Sequence, residues 1–237
     1  MIRFDVFMDM GVRAAAFSDR ADGDLGSNLR GPDSVFEDRR RFCLANGVDA
    51  DGLVVGQQVH GVRVAVVGAA ERGSGARNPG TALPETDGLV TQEGGVVLAV
   101  LAADCVPVYL LDPVRRAVGL VHAGRRGTRR NIAGRAVEVM ASRLGCCPED
   151  MRALIGPSAC PACYEVSPEI ADDWREAGLP VDGRRLDLWQ ANTLQMVDAG
   201  VPHDHIGVAR VCTIEDGRFF SYRARGDAGR NMAICAL

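Results

Sequence analysis

The chain has 237 residues, 47% of them hydrophobic, and a formal net charge of −4. That length is long for one domain and short for two, the apolar fraction is ample for a sizeable core, and nothing in the composition suggests disorder. The negative balance argues against a nucleic-acid binder relying on bulk electrostatics; all 27 cationic side chains are arginine, which excludes a Schiff-base lysine, a Walker A lysine and any lysine general base.

The N-terminus, MIRFDVFMDM, carries Asp5 and Asp9 and has no long apolar stretch, so it does not read as a secretory signal. A first helix is expected over Pro32–Ala45, opening on proline, carrying Val35, Phe36 and Phe42, and stopping at Asn46-Gly47. Strands are expected at 52–56, 62–67, 96–102, 106–111 and 117–121, with the loop GSGARNPGTALP (73–84) inside this strand-rich run. Several are continuously apolar, which suggests burial on both faces. The apolar run 94–111 is interrupted by Asp104 and is too strand-like to span a bilayer.

A helix over 128–144 places Ile132, Ala136, Val139 and Met140 on one side and ends at Gly145. A short strand at 153–155 precedes a helix over 168–177, which carries Ile170 and Trp174 before Gly178. Asp187 caps a helix running to Ala199, with Leu188, Ala191, Leu194 and Val197 inward and Gly200 as its stop. A last strand is expected at 206–211, and His203-Asp204-His205 before it reads as a solvated loop. Strands cluster ahead of the helices instead of alternating with them, so the expectation is an α+β fold: a single domain over 1–237, of mixed β-sheets flanked by helices. No GxGxxG or GxxxxGK[ST] sequence occurs, so the usual dinucleotide and P-loop readings fail.

Eight cysteines without a secretory signal read as reduced thiols in a soluble, cytoplasmic protein. Cys146 and Cys147 are adjacent and rarely bridge in that arrangement. Cys160-Pro-Ala-Cys163 has CxxC spacing, but a lone CxxC is weak, and structural thiols are expected there.

Three short motifs carry the chemistry: QVHG with His60, AADC with Cys105, and HAGRRG with His122. Two imidazoles and a thiolate suit a divalent metal of borderline softness, and three protein ligands leave a fourth position for water or substrate. After His122 come Gly124 and Gly127, Arg125 and Arg126, and a helix start, which together suggest a pocket for one anion, phosphate above all. Asp104, a carboxylate between two apolar runs, needs a partner: an arginine, or the outer shell of a metal site.

The chain resembles the YfiH-type family of laccase-domain, or polyphenol oxidase, proteins. The resemblance rests on Gln58-Val59-His60-Gly61, Thr86-Asp87-Gly88-Leu89-Val90, Leu101 to Pro107 (LAADCVP), His122-Ala123-Gly124 with Arg126-Gly127, Ile155-Gly156-Pro157 and Cys163-Tyr164-Glu165-Val166. It continues through Asp187-Leu188-Trp189, Cys212-Thr213, Phe219 to Arg223 (FFSYR) and Gly229-Arg230, in the family's order. It implies a zinc held by His60, Cys105 and His122, and zinc-dependent purine nucleoside phosphorolysis on a nucleoside and phosphate. Adenosine deamination and methylthioadenosine phosphorolysis occur in some members. Asp104 and Arg126 become the expected catalytic residues, Arg126 for phosphate and Asp104 for orientation or proton transfer. Neither a nucleic-acid nor a membrane partner is expected, and the protein would act as a monomer or homodimer.

Several positions depart from the family pattern. Arg125 stands where the family's HAGWRG has tryptophan, GPAIGPCCYEV becomes GPSACPACYEV, and CTY becomes CTI at Ile214. The N-terminal FSxRxGG and NR patterns are degraded to FSDRADG and Glu37-Asp38-Arg39. Arginine still stacks on a base but also attracts an acidic substrate. The alternatives are a mononuclear copper oxidase with Cu2+, a Cys105–His122 hydrolase or amidase, an enzyme editing a peptidoglycan precursor, and a non-catalytic zinc-stapled binding domain.

Overall fold

The continuously apolar strands of the sequence predict sheets covered on both sides, and the computed structural model, which describes residues 1–26 and 31–237, is layered in that way. In chain order the elements are β1 (Ile2–Arg3), α1 (Asp5–Met8), β2 (Ala14–Phe17), α2 (Pro32–Ala45), β3 (Leu53–Val55) and β4 (Val64–Val66). There follow β5 (Gly88–Thr91), β6 (Val97–Ala102), β7 (Val106–Asp112), β8 (Ala117–Ala123), α3 (Arg125–Arg129) and α4 (Ile132–Leu144). The remainder comprises β9 (Arg152–Ile155), α5 (Pro168–Glu176), β10 (Val181–Asp182), β11 (Arg185–Leu186), α6 (Leu188–Asp198), β12 (Ile206–Val208), α7 (Tyr222–Arg225) and β13 (Asn231–Ala236).

One mixed sheet has the order β1-β2-β13-β6-β3 and the other the order β12-β9-β7-β8-β5-β4. They stack face to face. Phe17, Leu98, Val100 and Ala233 of the first meet Leu89, Tyr109, Val118 and Leu120 of the second. Helix α2 covers the outer face of the first sheet through Phe36, Phe42 and Cys43. Helices α4, α5 and α6 cover the outer face of the second, with Val137, Trp174 and Met196 among their buried residues. Successive residues of β7 therefore alternate between two apolar layers: Val108 and Leu110 face the helices, Tyr109 and Leu111 the other sheet. Every residue of that strand is buried. The α+β expectation, mixed sheets flanked by helices in one domain, is met. No helix among the described residues is long and apolar enough to cross a membrane.

Several local expectations are corrected. The helix read over 128–144 is two pieces, because Asn131 adopts a left-handed φ of 63° and caps α4 by accepting from the Gly134 amide. Helix α6 turns Asn192, Gln195 and Met196 inward, and Leu194, expected inside, is exposed. Thr128 explains the polar choice: Asn192 Nδ2 donates to its hydroxyl (3.1 Å) and Gln195 Nε2 to its carbonyl (2.5 Å). The last expected strand ends at Val208. Strands β2 (AAAF) and β13 (NMAICA) had no sequence signal, since alanine is a poor strand former in isolation. They pair antiparallel with each other at the centre of the first sheet.

Candidate metal centre

The three motif residues converge where the chain passes from one sheet to the other. His60 lies on the loop between β3 of the first sheet and β4 of the second. Cys105 lies on the crossing from β6 to β7, and His122 near the end of β8, paired with Pro107 of β7. Two backbone positions there are strained in the left-handed region, His60 at φ 59° and Asp104 at φ 84°. The first turns the chain at His60; the second precedes Cys105.

The donor atoms of His60, Cys105 and His122 all lie within 4.8 Å of one another. Cys105 Sγ is 3.9 Å from His60 Nε2, and the two imidazole rings sit 4.9 Å apart, edge to face. Tetrahedral zinc, with bonds of about 2.3 Å to sulfur and 2.0–2.1 Å to nitrogen, places such donors about 3.5 Å apart. A small side-chain adjustment closes that difference, so the residues fit a metal ion. The backbone makes room for the cluster: a Cβ on Gly124 would come within 2.8 Å of His60 Cδ2 and 3.0 Å of Cys105 Sγ.

One residue without a sequence-assigned role organises this centre. Asp87 is 1% exposed, and its Oδ1 lies 2.8 Å from His122 Nδ1. The same carboxylate accepts from the amides of Val59 (3.1 Å), His60 (3.0 Å) and Gly61 (2.8 Å). It thus fixes the turn that presents His60 and assigns the His122 proton to Nδ1, leaving Nε2 as the donor toward the cluster. Its signal in the sequence was an acid immediately before the buried Gly88–Thr91 stretch.

Electrostatics follow from this packing. Burial pushes the Asp87 carboxyl up, but the hydrogen bond from His122 and those from the Gly61 and Val59 amides hold it below the ordinary carboxylate value. Burial opposes the Cys105 thiolate, yet the charge of His122 and hydrogen bonds from both imidazoles bring the thiol down to about 6. Burial opposes the His122 imidazolium, and the Cys105 thiolate and Asp87 raise it to about 9. In the absence of metal the thiol and the ring form an ion pair. A metal cation held there would take the place of the proton on His122 Nε2.

The cluster opens onto a cavity of about 1320 Å³. Arg125, Arg126, Arg223, Tyr164 and Leu101 are among its lining residues. Arg223 lies 3.9 Å over the Tyr164 ring and donates to the Glu165 carbonyl (2.6 Å). Arg126 is exposed, and its guanidinium makes one long bond, 3.5 Å, to the Val59 carbonyl. Arg125 is half-buried and has no ion pair among the described residues. These two guanidiniums are free to meet an anion. The expected long-helix N-terminus beside His122 is a single five-residue turn, α3, so the anion pocket rests on the arginines.

Asp104 is 4% exposed, and both its oxygens are engaged: Oδ1 accepts from the Thr213 hydroxyl and Oδ2 from the Arg223 amide, each at 2.8 Å. His203 is exposed and His205 bonds Arg152 and the Met151 carbonyl; neither joins a metal-ligand group among the described residues. All eight cysteines are free thiols.

A family model described as multi-copper polyphenol oxidoreductase laccase matches residues 11–237. The purine nucleoside phosphorylase YlmD of Geobacillus stearothermophilus is 42% identical over 212 residues, which cover 84% of this chain and 77% of that protein. The adenosine deaminase RL5, from an unknown prokaryotic organism, is 36% identical over 210 residues, 84% of this chain and 80% of that protein. The crystal structure of the Bacillus licheniformis hypothetical protein YfiH matches with a TM-score of 0.86 at 35% identity, covering 94% of this chain and 92% of that one. With its layered fold and its cluster of two histidines and a cysteine, the chain belongs to the YfiH-type laccase-domain family and is an enzyme.

Proposed function

We propose that this enzyme is a zinc-dependent purine nucleoside phosphorylase whose same centre also deaminates adenosine. The observation that carries the reading is the placement of His60, Cys105 and His122 in one cavity with two guanidiniums, Arg125 and Arg126, that pair with no carboxylate among the described residues. The names of the relatives, a purine nucleoside phosphorylase and an adenosine deaminase, support the substrate class. His60, Cys105 and His122 would hold a zinc ion, which would supply Lewis acidity there.

The chain's own residues do the rest. Arg126, with Arg125 beside it, binds the phosphate dianion through charge-assisted hydrogen bonds. A phosphate oxygen bonds to ribose C1′ as the glycosidic bond breaks, and the purine leaves with the electron pair and takes up a proton. Tyr164, backed by Arg223, and Leu101 form the apolar wall for the base. Asp104 acts by position: engaged by Thr213 and Arg223, it holds the strained turn that aims Cys105. The free thiols suit a reducing, cytoplasmic compartment. The enzyme acts there as a monomer or homodimer on nucleoside and phosphate.

Zinc-loaded protein incubated with inosine and with adenosine, with and without inorganic phosphate, tests this by mass detection. Free base and ribose 1-phosphate should appear only with phosphate, and adenosine alone should yield inosine. Loss of one charged hydrogen bond, about 1.5–3 kcal/mol, corresponds to roughly a 10–100-fold rise in the phosphate KM for Arg126→Ala. Nucleosides left intact by metal-replete protein would overturn the reading and point to an acidic cell-wall precursor, which the Arg125 substitution also suits. Strong thiolate-to-copper absorption in protein purified without added metal would instead favour the mononuclear copper oxidase.

A further inference from the structure

The CxxC of the sequence is not isolated in the fold. The loop after β9 carries Cys160 and Cys163, and the segment after β12 carries Cys212 and Glu215. Their three sulfurs and one carboxylate oxygen all lie within 4.8 Å of one another. The Cys163 thiol donates to Glu215 Oε1 at 3.1 Å, the Cys160 thiol lies 3.9 Å from the same oxygen, and Cys212 Sγ accepts from the Cys160 amide at 3.4 Å. We propose that Cys160, Cys163, Cys212 and Glu215 form a second metal site, structural and closed, for a tetrahedral zinc-class ion.

The chemistry differs from that of the catalytic cluster in an instructive way. Four protein donors complete a tetrahedron and leave no position for substrate, whereas three leave one. Thiolates select soft or borderline ions such as zinc, and a tetrahedral zinc with bonds of about 2.3 Å to sulfur and 2.0–2.2 Å to oxygen spaces its donors about 3.5–3.8 Å apart. The backbone is already set for this. Ser158 and Cys212 form a parallel bridge, with the Ser158 amide donating to Val211 and the Thr213 amide to Ser158. A turn closes on the Cys160 carbonyl, which accepts from the amides of Cys163 (3.1 Å) and Tyr164 (3.0 Å). Cys160 and Cys212 are 8% and 7% exposed, and Glu215 closes the outer side. Relative to the GPAIGPCCYEV pattern, cysteine at 160 and alanine at 162 replace an adjacent pair by chelating CxxC spacing.

A metal here staples together the two segments that support the catalytic wall. One carries Tyr164, and the other carries Thr213, whose hydroxyl holds Asp104 beside Cys105. The Ala159 amide also donates to the Asp104 carbonyl, at 3.0 Å. Binding is not a redox step: each thiol gives its proton to solvent as its sulfur bonds the metal.

The decisive measurement separates the two clusters. Cys105→Ala removes the only thiolate of the catalytic cluster, so thiolate-to-cobalt charge transfer in the cobalt-reconstituted variant reports the second cluster alone. Expected are that absorption, one zinc equivalent by elemental analysis of Cys105→Ala purified under reducing conditions, and a second equivalent in the unsubstituted protein. Cys163→Ser in the Cys105→Ala background should abolish the absorption; if that double variant does not fold, the single variant still decides. Absence of thiolate-to-cobalt absorption in folded Cys105→Ala, or a Cys160–Cys163 disulfide in the reduced-purified protein, would overturn the site. These readouts use no nucleoside, so they stand or fall apart from the proposed activity.

Discussion

Asp87 shows how one buried carboxylate can anchor four neighbouring groups. It satisfies three amides of the His60 turn and one ring nitrogen of His122, so its loss reaches two of the proposed metal ligands at once. Asp87→Asn keeps the shape but removes the charge and confuses the His122 tautomer. Removing such an outer partner typically costs 10–100-fold in metal affinity, and a similar loss is expected here in competition titrations against a chelator. The Cys105 thiol makes a second prediction at this scale. Its value near 6 in metal-free protein means that the thiolate persists well below the ordinary thiol range and is lost as pH falls through about 6. Iodoacetamide labelling of Cys105 in metal-free protein, mapped by peptide mass, should therefore be half-maximal near pH 6 and be suppressed by zinc. Labelling that rises only above pH 8 would contradict the ion pair with His122. Of these residues the sequence made His60, Cys105 and His122 legible through their motifs. Asp87 was quoted in a motif without a role, because nothing local says that an acid at 87 reaches a ring at 122.

At the scale of elements, the junction between β8 and α3 is the tightest part of the centre. Gly124 is the N-cap of α3, and its missing side chain is the space that His60 and Cys105 occupy. Gly124→Ala should displace those two side chains and lower zinc stoichiometry at the proposed catalytic cluster, while the far-ultraviolet circular dichroism stays that of the parent. Retention of full metal content would show that the loop shifts freely. Helix boundaries were the most readable elements. Proline opens α2 and α5, and Asp187 caps α6 by accepting from the Gln190 amide at 2.8 Å. The break before α4 was hidden because the apolar spacing runs on through it. Only the left-handed backbone of Asn131 marks the stop, and a left-handed asparagine looks like any other asparagine in sequence.

Across the whole molecule, two stacked sheets hold the crossings that carry His60 and Cys105 in register. Tyr109 ties them together. Its ring packs edge-on to Phe4 at 5.0 Å, and its hydroxyl, fully buried, donates across the interface to the Ala16 carbonyl at 2.7 Å. Tyr109→Phe keeps the ring and removes that bond, so a loss of about 1 kcal/mol is expected in urea unfolding, with the slope of the transition unchanged. A change in slope would mean that the sheets separate independently.

Length, lysine-free composition, doubly buried strands and the spacing of the motifs were local properties, and the chain order carried them without help. They sufficed for the α+β class and for the three candidate ligands. Pairing of β2 with β13, the Asp87 anchor and the grouping of Cys160 and Cys163 with Cys212 and Glu215 needed the folded chain. Each joins residues far apart in sequence, and burial and hydrogen-bond geometry select such partners, whereas short-range periodicity does not.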